Sequence, residues 1–594
     1  MSSLSISGKN WILRKYNQEN LNFIKDNFLL DEITSKLLSI RNIKKEDISS
    51  FLNPSIKNFL PNPDTLIDMQ KSTSRTIEAI SKKEKIGIFG DYDVDGASST
   101  ALLGNYFSHL NLDYEIYIPD RKKEGYGPSI KSFEELISKN VKIIFTVDCG
   151  TLSFEAINYA KKNNIDVIVL DHHQSEVKLP NAYSIVNPNR LDDKSNLQYL
   201  CAAGVAFMFL VSLNRSLRSI NWFKDNNFNE PNLINYLDLV SLGTVCDVVP
   251  LKGLNRAIVK QGLKIIKLKR NLGIKTLLDI CKIESKPSIY HLGFMLGPRI
   301  NAGGRVGKCS HGANLLLNKD PKNSFKLASE LDQYNKERQM LEKDLLQNIL
   351  NQAKNYLKDP VLILSGSNWH EGVIGIVASR LKDKFNKPVV IISLEGQIGK
   401  ASARSIVGFD IGSVIIAATQ ENILLKGGGH KMAGGFSIKV ENIKKFKSFV
   451  FRKFRNINLD LSGDRPLLLD SIIAPSAVNI DFYNKVALLS PFGSGNPEPK
   501  FIIEDMKTIG GKIVGEKHIK SVLIGKDGST IKSIAFNAAD NDLSAYLAKK
   551  NNKTFNIAGK LSLNEWKGQS NVEFIIDDIS VNKTFKITVP SSIG

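Results

Sequence analysis

The sequence predicts an α/β multidomain protein: a parallel-sheet domain, a long linking helix, a smaller α/β domain and a C-terminal OB-like β-barrel. Three observations predict it. Apolar runs of strand length alternate with helix-spaced segments over about residues 80–250, and again after residue 360. A long polar stretch, free of Gly and Pro after Pro321, joins the two regions. Beyond about residue 465 the pattern changes to short alternating strands, which suit a small closed barrel.

Residues 1–75 read as an N-terminal helical region, with helical patterns in DEITSKLLSIR and KKEDISSFL and Pro-rich turns in NPSIKNFLPNPD. The first α/β domain is expected over 76–318. Its KIGIFG (85–90), VKIIFTV (141–147) and IDVIVL (165–170) are unbroken β-rich apolar runs, the mark of strands covered on both faces. The segments SIKSFEELISKN and LSFEAINYAKKNN between them have helical spacing. The apolar stretch YLCAAGVAFMFLVSL (199–213) is 15 residues long. A span of a bilayer takes roughly 20, so it reads as a buried helix. The linking helix is expected over 319–358. The smaller domain, 359–460, has strands PVLILSG (360–366) and PVVIISL (388–394) around the helix GVIGIVASRLKDKF. The barrel, 461–594, draws on KFIIEDM, SVLIGKDGSTIKSIAF, TFNIAGKLSL and NVEFIIDDI, with KDGS (526–529) as a hairpin turn.

The chain has 594 residues, 42% of them hydrophobic, enough for several cores. Its formal net charge of +20 and pI near 9.4 favour a polyanionic partner. Charge alone does not separate nucleic-acid binding from a lysine-rich solvated surface. The five cysteines form no CxxC pair, so neither a zinc knuckle nor a disulfide framework is indicated, and a cytoplasmic setting is expected. The opening residues lack the apolar segment of a secretory leader. No coiled-coil or apolar stripe predicts an oligomer, so a monomer with no membrane association is expected.

The chemistry is concentrated in GDYDVDGASST (90–100), which sets Asp91, Asp93 and Asp95 at alternate positions. Carboxylates this close repel one another unless a cation neutralises them. The DxDxDG pattern also opens a calcium-binding EF-hand loop, which needs a Glu at position twelve; here that position is Leu102, and the loop follows a strand. Ligands of an open α/β sheet bind beyond the carboxyl ends of its strands. Each of the three strands ends in ligand chemistry: Asp91, Asp93 and Asp95 after the first, Asp148 after the second, Asp171-His172-His173 after the third. Asp247, after another apolar run, closes the set. Oxygen-rich sites with one or two imidazoles suit Mg2+ or Mn2+ better than zinc. This many carboxylates can hold two ions about 3.5–4 Å apart, a geometry that serves phosphoryl hydrolysis. His172 is the expected ligand of the histidine pair. His173 is placed either to position the scissile phosphate or to donate a proton.

GDYDVDG, VDCG, the Asp171-His172-His173 triplet and Asp247, in this order, resemble the four motifs of the DHH phosphoesterase superfamily. KASARSI followed by KGGGHKMAGGF (426–436) resembles the DHHA1 domain of one branch. PDRKKEGYGPS (119–129), GPRINAGGRVG (297–307), NWHEGVIGIVASRL (368–381) and PFGSGNPEP (491–499) narrow the similarity to the bacterial single-strand-specific 5′→3′ DNA exonucleases, from about residue 40 to the C-terminal strands. The one departure is Gly304 where Ala is expected.

The resemblance implies Asp93, Asp95, Asp148, His172 and Asp247 as metal ligands, with Asp148 bridging two ions. Asp91 matches the first acid of the motif and is counted with the ligands, its direct contact left open. Asp95, Asp148 and His173 form the catalytic set, His173 against the substrate phosphate. Arg121, Ser402 and Arg404 match positions that hold a 5′-terminal phosphate, and Arg299 one that grips backbone phosphate. These roles suit guanidinium chemistry, which offers paired hydrogen bonds to phosphate. The glycines of GGGH, among them Gly428 and Gly429, let backbone amides approach an anion, with His430 toward the nucleotide.

The expected function is therefore metal-dependent, 5′→3′ hydrolysis of single-stranded DNA to 5′-mononucleotides, in DNA repair and recombination. Single-strand-binding protein and a repair helicase are the protein partners the resemblance implies. Phe536, Trp566 and Phe574 are candidate base-stacking platforms on the barrel. Two other readings compete: hydrolysis of cyclic dinucleotides or very short RNAs, and a non-catalytic scaffold. The extra barrel counts against the first, and the complete set of acids against the second.

Overall fold

Five parallel strands build the first sheet, in the spatial order Tyr114–Tyr117, Ile86–Gly90, Ile143–Val147, Asp166–Leu170 and Ser184–Val186. The chain order reverses between Ile86–Gly90 and Ile143–Val147, which opens a crevice at their carboxyl ends. The computed structural model describes residues 4–121, 123–457, 465–566, 569–581 and 586–587. Every residue of these two central strands is buried, which accounts for their unbroken apolar sequence. Ile88, Phe145 and Ile168 face a core shared with the helices Val94–His109, Ala202–Ser219 and Leu237–Cys246. Phe89, Ile144 and Val169 face the opposite core, under the helices Ile130–Ser138 and Phe154–Lys162. The long apolar stretch is thus an interior helix, and no helix among the described residues is long and apolar enough to cross a membrane.

The helix Pro321–Ala353 starts at Asp320, whose carboxylate accepts the N–H of Asn323. Its 33 residues span about 50 Å and carry the chain to the second domain. There a mixed sheet runs Lys426–His430, Ala433–Lys439, Ile398–Arg404, Val389–Glu395, Leu362–Ser367.

The C-terminal strands Phe501–Val514, His518–Ile524, Thr530–Ala535, Gln569–Ser580 and Asn551–Trp566 pair in that order and close through Phe501–Val514 against Asn551–Trp566. This is a five-stranded OB-like barrel. Its KDGS hairpin forms as expected, with Ile524 opposite Thr530. Phe574 is fully buried among Phe501, Phe555 and Ile557, so the expected stacking role for it is wrong: its alternation points inward. Phe536 is 52% exposed. The side chain of Trp566 lies outside the described residues.

The N-terminal segment is more than helical. Its strand Lys9–Leu13 pairs in parallel with Arg465–Leu469, and the Trp11 indole donates to the buried Asp578 carboxylate at 2.8 Å. Ile24, Leu37, Leu38 and Ile48 join the barrel core. This pairing links residues hundreds of positions apart, and no local pattern announces it.

Candidate metal centre and arginine seam

The acids converge because the strands that precede them are neighbours in the sheet. Val147, the last residue before Asp148, pairs with Gly90 on one side and Leu170 on the other. Asp93 caps the helix Val94–His109 by accepting the Gly96 N–H at 3.0 Å. Asp95 is held by the Ala202 and Ala203 N–H groups, at 2.6 and 3.0 Å, at the start of a second helix. Asp148 sits at φ 62°, a left-handed conformation uncommon outside Gly, Asn and Asp. Asp247 ends the helix Leu237–Cys246 and arrives from outside the sheet.

Three ligand groups form: Asp148 with His172 and His173; Asp95 with His172 and Asp247; Asp91 with Asp93 and Asp148. Within each group the ligand atoms lie within 4.8 Å of one another. Asp148 belongs to two groups, as does His172. The His172 Nε2 lies 3.3 Å from Asp148 Oδ1, 3.6 Å from Asp247 Oδ2 and 3.9 Å from Asp95 Oδ2.

The donor set fits divalent cations. Asp148 Oδ1 and Asp91 Oδ1 are buried and accept no hydrogen bond, an arrangement that costs free energy unless something positive stands there. Burial, then the charges of Asp93, Asp95, Asp91 and Asp247, push the Asp148 carboxyl well above the ordinary range. Burial and Asp93 do the same to Asp91. Burial, then Asp95 and Asp93, raise Asp247 to about 8.

Asp171, at the head of the histidine pair, belongs to none of these groups. It accepts the N–H groups of His172 and His173 and that of Thr151, and its Oδ1 lies 2.8 Å from His173 Nδ1. Burial opposes a charge on His173, but the Asp171 hydrogen bond and charge outweigh it and raise the imidazole to about 9. Tyr126 donates its hydroxyl to the Asp148 carbonyl at 3.0 Å and touches His173 at 3.1 Å.

Three predicted phosphate groups meet at the seam between the α/β domains. Arg121 lies over the Tyr92 ring at 5.4 Å. Arg404 donates to Ser402 Oγ at 3.2 Å, and burial followed by the charge of Arg121 lowers its pKa. Arg305, absent from the predicted set, stands with them. Its guanidinium donates to the Gly372 carbonyl across the seam at 3.1 Å. Burial, then Arg121, Arg338 and Arg404, lower its pKa to about 10. Among the described residues no carboxylate pairs with Arg121, Arg305 or Arg404, whereas Arg299 is held by Asp332 at 2.9 Å. Gly428, Gly429 and His430 lie on the exposed edge strand Lys426–His430. Its neighbour places Ala433 opposite Arg404 and Gly435 opposite Ser402. A Cβ on Gly429 would come within 2.4 Å of the Ala433 carbonyl, so the hairpin itself requires that glycine.

Family models match three segments: the N-terminal domain of the DHH family over residues 85–244, the DHHA1 domain over 343–456 and the RecJ OB domain over 469–578. The single-stranded-DNA-specific exonuclease RecJ of Haemophilus influenzae is 33% identical over 579 residues, 94% of this chain and 97% of the relative. This chain belongs to the RecJ family. The RecJ exonuclease of Escherichia coli is likewise 33% identical, over 89% of this chain and 92% of its own. The crystal structure of Thermus thermophilus RecJ in complex with Mn2+ superposes with a TM-score of 0.79 at 27% identity, covering 97% of this chain and 80% of that one.

For a RecJ-family chain, sequence reasoning missed Arg305, Tyr126 and Gly243. All three were in view. Arg305 ends GPRINAGGR, Tyr126 is the aromatic of EGYGPS, and Gly243 lies four residues before Asp247. A Cβ on Gly243 would come within 2.5 Å of Asp95 Oδ1, a demand that only the folded packing reveals.

Proposed function

We propose that this chain hydrolyses single-stranded DNA from its 5′ end with two divalent ions, Mn2+ or Mg2+, and releases 5′-mononucleotides in DNA repair and recombination. The observation that carries the reading is the Asp148 carboxylate, whose donorless Oδ1 stands where two ligand groups meet, in a chain of the RecJ family. Relatives of this family have been crystallised with Mn2+ and with Mg2+.

Asp91, Asp93 and Asp148 would hold one ion, and Asp95, His172 and Asp247 the other, with Asp148 between them. Such ions supply a water of lowered pKa and stabilise charge on the phosphoryl oxygens. The protein's own groups do the rest. Asp171 keeps His173 protonated and oriented, so that His173 can hydrogen-bond the scissile phosphate or hand a proton to the leaving oxygen. Arg121, Ser402 and Arg404 receive the 5′-terminal phosphate, and their setting, free of carboxylate partners among the described residues, supports that role. Arg299 reaches backbone phosphate only by sharing its guanidinium with Asp332.

We assign catalysis to residues 76–318, 5′-end recognition to 359–460 and retention of the incoming strand to 461–594, where Phe536 is an exposed platform. All five cysteines are free, which suits a reducing cytoplasm. The same strand is the natural meeting point with single-strand-binding protein and a repair helicase.

A time course on a 5′-labelled single-stranded oligonucleotide with Mn2+, against an EDTA control, tests the reading. Immediate release of labelled mononucleotide, stopped by EDTA, is expected. A ladder of shortening labelled strands would reverse the polarity, and an intact strand would overturn the reading.

A further inference from the structure

Asp247 differs from the other ligands in how it is held. Asp91, Asp93, Asp95, Asp148 and His172 follow strand ends of one sheet, whereas Asp247 caps a helix and leads into an exposed turn. The next residue, Val248, sits at φ 59° and is 67% exposed. A β-branched residue rarely adopts that conformation, so the turn persists only if its surroundings impose it.

Two or three residues on, the turn is held from both sides: the Asn255 amide of the same domain donates to the Pro250 carbonyl at 3.1 Å, and the rest of the hold comes from the barrel side. The Leu251 N–H donates to the Ser494 carbonyl at 2.8 Å. A Cβ on Gly493 would lie 2.7 Å from Leu251 Cδ1, and one on Gly495 3.2 Å from Pro250 Cβ. The loop carrying these glycines is PFGSGNPEP, which the catalytic reading leaves without a role. It is tied down twice. The Asn496 amide donates to the Leu489 and Pro491 carbonyls at 2.9 Å each, and its oxygen accepts Arg41 Nε at 3.0 Å. Arg256, 1% exposed, donates to the carbonyls of Leu489, Ser490 and Pro491, and to that of Phe51 in the N-terminal segment. Four carbonyls serve this buried guanidinium in place of a carboxylate. A charge is buried this way when its fork must join several segments at fixed geometry.

We infer that the 489–496 loop is a latch that sets the position of Asp247, with Gly495, Asn496 and Arg256 as positioning residues for the ion held by Asp95, His172 and Asp247. One ligand of the metal centre is then braced from outside the catalytic domain, and seating of the barrel is linked to occupancy of one ion and not of the other.

The inference rests on the metal reading proposed above, and its test separates the two. Mn2+ binding to the full chain is titrated without DNA, by isothermal calorimetry and by the spin-resonance signal of free Mn2+. Gly495→Ala adds a methyl against Pro250 at a residue with φ 71°. Gly528→Ala is the control: it strains a left-handed glycine of the same barrel, φ 78°, with nothing within 4 Å. The expected result is a roughly 10–100-fold weaker affinity for one of two ions in Gly495→Ala, the size typical of losing support behind a ligand. Gly528→Ala should match the wild type. Turnover of Gly495→Ala should recover in excess Mn2+, with an unchanged KM for single-stranded DNA. Arg256→Lys, which keeps the charge and loses the fork, should weaken the same ion and decides the matter if Gly495→Ala does not fold. Unchanged Mn2+ titrations in a folded Gly495→Ala, or equal losses in Gly495→Ala and Gly528→Ala, would overturn the latch. If Asp247→Asn still binds two ions with wild-type affinity, the metal reading itself fails.

Discussion

His172 Nε2 and Asp148 Oδ1 stand 3.3 Å apart, and that oxygen is buried without a hydrogen-bond donor. A ring nitrogen and a carboxylate oxygen at this separation, with Asp95 and Asp247 close by, are donors of the kind that can share one cation.

Removing the shared carboxylate should therefore remove catalysis and little else. Asp148→Ala is expected to lower the hydrolysis rate by at least about 100-fold, above the range for losing a group behind a ligand. Single-strand affinity, assigned above to the arginines and the barrel, should stay within a few-fold. Parallel rate and mobility-shift measurements check both. A variant that keeps a tenth of the wild-type rate would exclude Asp148 as a bridging ligand.

The metal-free protein should lose stability as pH rises. The folded-state pKa of Asp247 is raised to about 8, by burial and then by Asp95 and Asp93. A group raised in this way favours the folded state fully below its unfolded value, and that favour is lost as pH climbs through the folded value. The melting temperature of the EDTA-treated protein should thus fall between pH 5 and pH 8, and Mn2+ should raise it more at pH 8. Asp247→Asn should flatten the fall and shrink the Mn2+ effect. Melting curves at the two pH values, with and without Mn2+, decide it.

Asp171 should matter through His173. Its hydrogen bond and charge overcome burial to raise that imidazole to about 9. Asp171→Asn keeps the shape and loses the charge. The expected effect is a roughly 100-fold lower kcat, within the range for a positioned proton-transfer group, with Mn2+ affinity unchanged. The alkaline fall of the pH–rate profile should move down toward the ordinary histidine range. An unmoved profile would mean that His173 works unprotonated.

Arg404 should govern the choice of end. Arg404→Ala is expected to abolish preference for a 5′-phosphorylated strand over a 5′-hydroxyl strand, since Arg404 and Ser402 form one side of the proposed pocket. Competition between the two substrates measures it. An unchanged ratio would remove the phosphate from this seam.

The sequence by itself determined the chemistry and most of the sheet. Strand ends and acids are adjacent in the chain, so KIGIFG before Asp91 and VKIIFTV before Asp148 announce both the element and the acid that follows it. The linking helix and the barrel hairpin were legible for the same reason: their signals are local. What only the tertiary structure decided depends on which distant segments meet. Phe574 and Phe536 look alike as aromatics on short strands, and only closure of the barrel buries one and exposes the other. The pairing of Lys9–Leu13 with Arg465–Leu469, the meeting of Arg305 with Arg121 and Arg404, and the hold of the 489–496 loop on the turn after Asp247 join segments far apart in the chain. Such contacts form where separate hydrophobic faces are driven together, and periodicity within one segment carries no record of its partner.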